Sequence, residues 1–184
     1  PDAPGRKIAD YFEPISTHEV SALKSSIDNF IIQSGELHGV ITMGSDIPEI
    51  VAEIAEYLGT PGLSLESARW AKNKYEMKQR FKQELVSTPN FMLLSNASEL
   101  RTAFKNLGNK LVLKPVDQAG SRGVSLIDKN TAERYELFDH AKNYSSNAHV
   151  LVEEFIEGPQ ISTEHILVDG ELFTPGFADR NYKE

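Results

Sequence analysis

The chain has 184 residues, of which 40% are hydrophobic and 25% charged, with a formal net charge of −8 and no cysteine. This composition is ordinary for a globular protein with one good core or two small ones, and the missing cysteines exclude a disulfide framework and a thiolate zinc site. The missing cysteines also fit a reducing cytoplasm, where we expect the protein to be. The negative charge argues against nonspecific nucleic-acid binding, and no apolar run reaches the roughly 18 residues of a membrane span, so we expect neither nucleic-acid nor membrane partners.

The first 63 residues alternate between predicted strands and helices. The pattern predicts a strand over residues 8–15, a helix over 20–34, a buried strand over 39–43 and a helix over 50–58. Ser16 and Glu19 have the spacing of a capping box before the first helix, and Gly59 is placed to end the second. Strands that alternate with helices indicate a parallel sheet covered by helices. We therefore predict an α/β class for this part, a partial Rossmann-like domain over residues 1–63.

Residues 64–184 follow a different pattern, in which several predicted strands follow one another without a helix between them. A polar helix is predicted over residues 65–85, and further helices over 97–107 and 131–143. Strands are predicted over residues 91–94, 110–114, 124–127, 149–154, 160–168 and 171–177. Asp169-Gly170 between the last two is a strong hairpin turn signal. This second part is predicted to be a mostly antiparallel α+β domain, and the abrupt ends at Pro1 and Glu184 suggest a fragment of a longer protein.

A glycine-containing loop follows the predicted strand 110–114. Alternation along this strand places Leu111 and Leu113 on one face and Lys114 on the other. The loop then continues through Gly120-Ser121-Arg122-Gly123. Such a loop can turn backbone N–H groups and two cations toward the phosphates of a nucleotide. The alternative is a surface loop with solvated cations, and the loop alone does not decide between them.

Two further motifs lie on either side of this loop in the sequence. Glu153-Glu154-Phe155-Ile156 ends a predicted strand just before Gly158-Pro159, where free backbone groups could meet a planar base and the apolar pair could pack on it. The alternative is that this segment is only the end of a strand, with its two glutamates exposed to solvent. Upstream, Lys74 lies in a lysine-rich helix that could equally be a solvated face.

Taken together, these motifs resemble the ATP-grasp superfamily. They occur in the family's order: Lys74 on a helix, Pro89, Lys114 with its glycine loop, then residues 153–158. The nearer resemblance is to the carboxylate–amine ligases and carbamoyl-phosphate-synthase-like proteins. It implies that residues 64–184 form the first part of an ATP-grasp domain, preceded by a pre-ATP-grasp domain.

The resemblance also implies roles for individual residues. Lys74 and Lys114 match the lysines that approach the ATP phosphates. The lid over the phosphates matches Gly120, Ser121, Arg122 and Gly123. The adenine-binding segment matches Glu153, Glu154 and Ile156, with Phe155 packing beside them. Gln160 stands where the family usually has a glutamate that holds the ribose, and its amide can still hydrogen-bond a hydroxyl.

The function implied is ATP-dependent ligation of a small carboxylate to an amine or ammonia through an acyl phosphate. Mg²⁺ would accompany ATP, with its ligands expected beyond residue 184 and none within the chain. Arg180 is the one candidate catalytic residue, because it falls near the expected acceptor site. A homodimer is one candidate assembly. Two alternatives are a non-catalytic ATP-binding or regulatory module of the same fold and a purely structural α/β interaction domain.

Overall fold

A computed structural model describes residues 3–180 of the chain as six helices and six strands, with short 3₁₀ turns at Pro4–Lys7 and Ala97–Glu99. The helices are α1 Val20–Ser34, α2 Pro48–Leu58, α3 Leu65–Lys72, α4 Lys74–Gln83, α5 Leu100–Leu107 and α6 Arg134–Tyr144. The strands are β1 Phe91–Leu94, β2 Lys110–Pro115, β3 Ser125–Asp128, β4 Val150–Glu154, β5 Ile161–Val168 and β6 Glu171–Asp179. None of the described helices is long and apolar enough to cross a membrane. Residues 1–2 and 181–184, the outer ends of the two predicted domains, lie outside the described range.

The N-terminal part is helical, and both strand predictions there are wrong. Residues 8–15 and 39–43 are irregular, and Ile41 and Met43 are 80% and 89% exposed. A strand is stabilised by hydrogen bonds to a neighbouring strand. No strand forms anywhere in residues 3–63, so these apolar segments have nothing to pair with and the parallel sheet is absent from this described part.

The two helices predicted in this part are present, but one of their caps differs from the expectation. Gly59 ends α2 in the left-handed conformation with φ 66°, as expected. The capping box before α1 is not formed, because Glu19 occupies the N-cap position without a side-chain hydrogen bond. The Ser16 hydroxyl instead accepts a hydrogen bond from the N–H of His18 at 3.3 Å.

The polar helix predicted over residues 65–85 is divided into α3 and α4 by Asn73. This residue has extended backbone angles, and its side-chain oxygen accepts hydrogen bonds from the N–H groups of Tyr75 and Glu76. It thereby caps α4, whose first N–H groups would otherwise lack partners. The N–H of Lys74 donates to the carbonyl of Val116 at 2.7 Å, so the start of α4 is joined to the chain just after β2.

The core lies in a four-stranded sheet with the order β1-β4-β2-β3, in which every neighbouring pair is antiparallel. This confirms the mixed class predicted for the second part, with its antiparallel strands. Helices α5 and α6 pack on one face of the sheet. The fully buried side chains there include Leu94, Leu111, Leu113, Phe138 and Val152. The other face is partly open at β2, where Val112 and Lys114 are only partly buried.

Strands β5 and β6 form a separate two-stranded hairpin, as predicted. Its turn has two consecutive residues with positive φ, Asp169 at 49° and Gly170 at 83°. Such turns match the natural twist of a hairpin. The hairpin begins at Ile161, after a short connection from the end of β4 at Glu154.

Candidate functional site

A cleft of about 740 Å³ lies over the open face of the sheet. The start of α4, the glycine loop, β2, β4 and the residues after β4 contribute to its walls. Its lining includes most of the residues predicted from sequence: Lys74, Lys114, Gly120, Ser121, Glu153, Glu154, Phe155, Ile156, Gln160 and Arg180. Arg122 and Gly123 are not among the lining residues. The fold thus brings together segments that are up to about a hundred residues apart in the chain.

The floor of the cleft is set by the alternation of side chains along the sheet. Register pairs Val112 with Glu153, and these two point to the cleft, whereas Leu111 and Leu113 point into the core. Val112 and Leu126 on the neighbouring strand provide an apolar surface there. A flat apolar group could rest on this surface while charged side chains reach it from the sides.

Lys114 is anchored at this floor by an acidic partner. Its Nζ donates a hydrogen bond to Glu153 Oε2 at 2.7 Å. The glutamate side chain is only 4% exposed, whereas that of Lys114 is 28% exposed and reaches the cleft. Lys78 also approaches this carboxylate, with its Nζ 3.2 Å from Oε1. The sequence interpretation missed Lys78, although a spacing of four residues puts it on the same helix side as Lys74.

Lys74 lines the same cleft as Lys114 and is near enough to feel its charge. Its Nζ donates a hydrogen bond to the carbonyl of Gln118 in the glycine loop. Burial lowers the pKa of Lys74, and the nearby charge of Lys114 lowers it further, while the carboxylates of Asp117 and Asp46 oppose the shift. Both of these acids line the cleft and were not predicted as site residues. A lysine with a lowered pKa and a cationic neighbour is a candidate for an anion site.

The glycine loop has an unusual run of left-handed residues. Gly120, Ser121 and Gly123 have φ of 68°, 57° and 72°. The first two line the cleft, but Gly123 packs behind the loop against Pro115, and Arg122 Nε bonds back to the carbonyl of Ala119 at 3.3 Å. The four predicted lid residues thus divide into a pair at the cleft wall and a pair outside it.

The chain leaves the sheet beside the cleft just after β4. The N–H groups of Glu154 and Phe155 still bond to carbonyls of Asn90 and Lys110, at 3.0 and 3.1 Å. The next N–H, that of Ile156, takes part in no hydrogen bond within residues 3–180. A backbone donor is thereby left at the cleft edge, where a ring nitrogen of a planar base could accept from it.

Gln160 and Arg180 close the cleft at the open end of the hairpin. The N–H of Arg180 donates to the carbonyl of Gln160 at 2.9 Å, which brings the two ends of the hairpin together. Both residues line the cleft. The ribose contact predicted for Gln160 and the catalytic role predicted for Arg180 stay predictions.

Sequence comparisons connect this geometry to known proteins. A family model described as phosphoribosylglycinamide synthetase, ATP-grasp (A) domain, matches residues 72–184. Alanine–anticapsin ligase of Bacillus subtilis (strain 168) is 25% identical over 205 residues, covering 95% of this chain and 43% of the ligase. D-alanine–D-alanine ligase B of Pseudomonas putida is 30% identical over 124 residues, covering 66% of this chain and 37% of the ligase. The chain therefore spans less than half the length of these relatives.

Solved structures show the same fold. The L-amino acid ligase from Bacillus licheniformis superimposes with a TM-score of 0.72 and 22% identity, covering 93% of this chain and 39% of that one. An ADP complex of N5-carboxyaminoimidazole synthetase from Staphylococcus aureus superimposes with a TM-score of 0.75 and 14% identity, covering 99% of this chain and 46% of that one. At these identities the likeness concerns the fold, and it extends over the helical N-terminal part as well.

Proposed function

The chain belongs to the ATP-grasp family, and from this premise we propose that it is the ATP-binding portion of a ligase that joins a carboxylate to an amine or ammonia. The observation that carries the proposal is the convergence on one cleft of Lys74, Lys114 and the Ile156 N–H, which has no hydrogen-bond partner among residues 3–180. The ligase names of the relatives support the reaction class. The division into residues 1–63 and 64–184 stays a prediction.

The cleft residues suit the parts of an ATP molecule. The base would lie on Val112 and Leu126 and accept a hydrogen bond from Ile156 N–H. The phosphates would lie between Lys74 and Lys114, under the loop whose carbonyl at Gln118 now holds the Lys74 ammonium. ATP phosphates could replace that carbonyl as the partner of Lys74, since an ammonium binds an anion more strongly than a neutral acceptor.

The proposed reaction has two steps. A carboxylate oxygen attacks the γ-phosphorus of ATP, and the bond from that phosphorus to the β–γ bridging oxygen breaks, which gives an acyl phosphate and ADP. An amine or ammonia then attacks the acyl carbon, the bond from this carbon to the phosphate oxygen breaks, and the nitrogen loses a proton to the departing phosphate or to water, which gives an amide and phosphate. The chain's own contribution would be electrostatic, because Lys74 and Lys114 offset the negative charge of the phosphates during transfer.

Magnesium is expected from the family resemblance rather than from the residues of this site. Within residues 3–180, no three His, Cys, Asp or Glu side chains are grouped so that they could hold a metal ion. The Mg²⁺ that would accompany ATP, and its ligands beyond residue 184, stay predictions. A cytoplasmic location, a homodimer and the lack of a nucleic-acid partner also stay predictions.

The lowered pKa of Lys74 predicts a pH dependence of ATP binding. Because its folded-state pKa lies below the ordinary lysine value, Lys74 loses its charge at a lower pH than an exposed lysine does. ATP affinity should thus fall as the pH rises through that lowered pKa. Titrations of ATP across the alkaline range should show this fall in the wild type. In Lys74→Met the affinity should be lower throughout, and the fall that belongs to Lys74 should be absent. Identical profiles would contradict the phosphate role of Lys74.

Release of ADP tests the reaction class. The chain, and any longer protein that contains it, would be incubated with ATP, Mg²⁺ and a panel of amino acids and small carboxylates with ammonia or amines. The proposal expects carboxylate-dependent ADP release in the competent protein. ATP binding without ADP release from any combination would instead favour the non-catalytic ATP-binding module, for which Gln160 in place of the usual glutamate is the specific observation.

A further inference from the structure

Lys78 is a buried lysine that the proposed reaction does not use. It lies on α4 one turn after Lys74 and is only 7% exposed. Its Nζ donates a hydrogen bond to the Thr88 hydroxyl at 2.8 Å and lies 5.8 Å from the centre of the Phe91 ring. A lysine side chain normally extends its ammonium to water. Its burial here, at a cost in solvation, calls for a partner that offsets the charge.

That partner is Glu153. Lys78 Nζ lies 3.2 Å from Oε1 and forms an ion pair with it, but the geometry of this contact is not that of a hydrogen bond. Oε1 is buried and accepts no hydrogen bond from any described group. The second oxygen, Oε2, is taken by Lys114. Glu153 is therefore a buried carboxylate between two lysines, only one of which, Lys114, lines the cleft.

The position of this group in the fold suggests what it does. Lys78 belongs to the helix that carries Lys74 at its start, and Glu153 belongs to the strand that leads to the Ile156 edge. Their contact joins the helix of one phosphate lysine to the strand of the base-binding edge. Because Lys78 also offsets the charge of Glu153, Lys114 is not the sole counterion of this carboxylate.

We propose that Lys78 is a positioning residue for nucleotide binding: it neutralises Glu153, which leaves the charge of Lys114 available to phosphate, and it holds α4 against β4. The proposal rests on the proposed function, since it assumes that ATP binds in this cleft. Lys78 itself does not touch the nucleotide. Its effect on ATP should therefore depend on the presence of the Glu153 carboxylate.

A double-mutant cycle tests this dependence through the dissociation constant of ATP, measured by calorimetry. Lys78→Met should weaken ATP binding roughly tenfold, because it leaves a buried carboxylate that draws on Lys114 alone. The same change made in Glu153→Gln should weaken it by no more than about twofold, because no uncompensated charge remains. Lys82→Met is the matched control on the exposed part of the same helix and should bind ATP as the wild type does. An equal loss in both backgrounds, or no loss from Lys78→Met, would overturn the proposal.

Thermal unfolding provides a second test that does not depend on ATP binding. It keeps the positioning role of Lys78 testable if a variant folds poorly, and it separates this role from the proposed ATP site. Thermal unfolding without nucleotide should show that Lys78→Met lowers the melting temperature more in the wild type than in Glu153→Gln, and Lys78→Arg should retain most of the wild-type stability and ATP affinity. Additive losses of stability would contradict the link between Lys78 and Glu153. Failure of the wild type itself to bind ATP would instead contradict the proposed function, whatever the unfolding cycle shows.

Discussion

Replacing Lys114 by methionine should weaken ATP binding by about 100-fold, the largest effect we expect from one cleft residue, since a hydrogen bond to a charged group contributes roughly 1.5–3 kcal/mol. Lys114 is the lysine whose ammonium is held in the cleft by a buried carboxylate. Methionine keeps much of the side-chain volume but removes the charge. Calorimetric titration of ATP into the variant measures the loss.

The control for this experiment is Lys105→Met. Lys105 is exposed on α5, which packs on the opposite face of the sheet, and it does not line the cleft. The two variants have the same change in net charge, so a general electrostatic effect would lower ATP affinity in both. If Lys114→Met binds ATP as tightly as Lys105→Met, then the phosphates do not lie at Lys114.

Replacing Gly123 by alanine should lower the free energy of unfolding by about 2–4 kcal/mol, which combines a left-handed backbone with overpacking. Its φ is +72°, and an added Cβ would lie 2.8 Å from Pro115 Cγ and 3.0 Å from Tyr144 Cδ2. Pro115 is fully buried, and its rigid ring cannot turn away. Denaturant unfolding followed by circular dichroism measures the loss.

Gly120 in the same loop provides the matched comparison. Its φ is +68°, but an added Cβ would have nothing within 4 Å. Gly120→Ala should therefore carry only the conformational cost of about 1 kcal/mol. Equal losses from the two substitutions would show that Gly123 does not pack closely behind the loop, and the position described for the loop would be wrong.

The elements after residue 63 were predictable because their patterns are local. Alternation in β2 correctly separated Leu111 and Leu113 from Lys114, and Asp169-Gly170 correctly marked a hairpin. The apolar run at residues 39–43 misled the prediction, because an apolar run becomes a strand only where another strand can pair with it. Asn73 was taken as part of a helix, although its side chain can cap the following one.

The cleft was harder to predict than its individual motifs. Order along the chain pointed to Lys74 and Lys114, which the structure places at one cleft. Residue type alone could not show that Lys78, in a polar helix, turns inward to a buried carboxylate. Nor could it show that Arg122 bonds to its own loop, since side-chain direction in a loop with positive φ depends on tertiary packing.

Hydrogen–deuterium exchange of the wild-type chain with and without ATP and Mg²⁺ tests most directly whether this cleft holds ATP. Among residues 3–180 the Ile156 N–H has no hydrogen-bond partner, and residues 117–121 of the glycine loop line the cleft. We expect ATP to slow exchange at Ile156 and over residues 117–123, and to leave α1 unchanged. No change in these two segments at saturating ATP, or protection confined to other parts of the chain, would contradict the account.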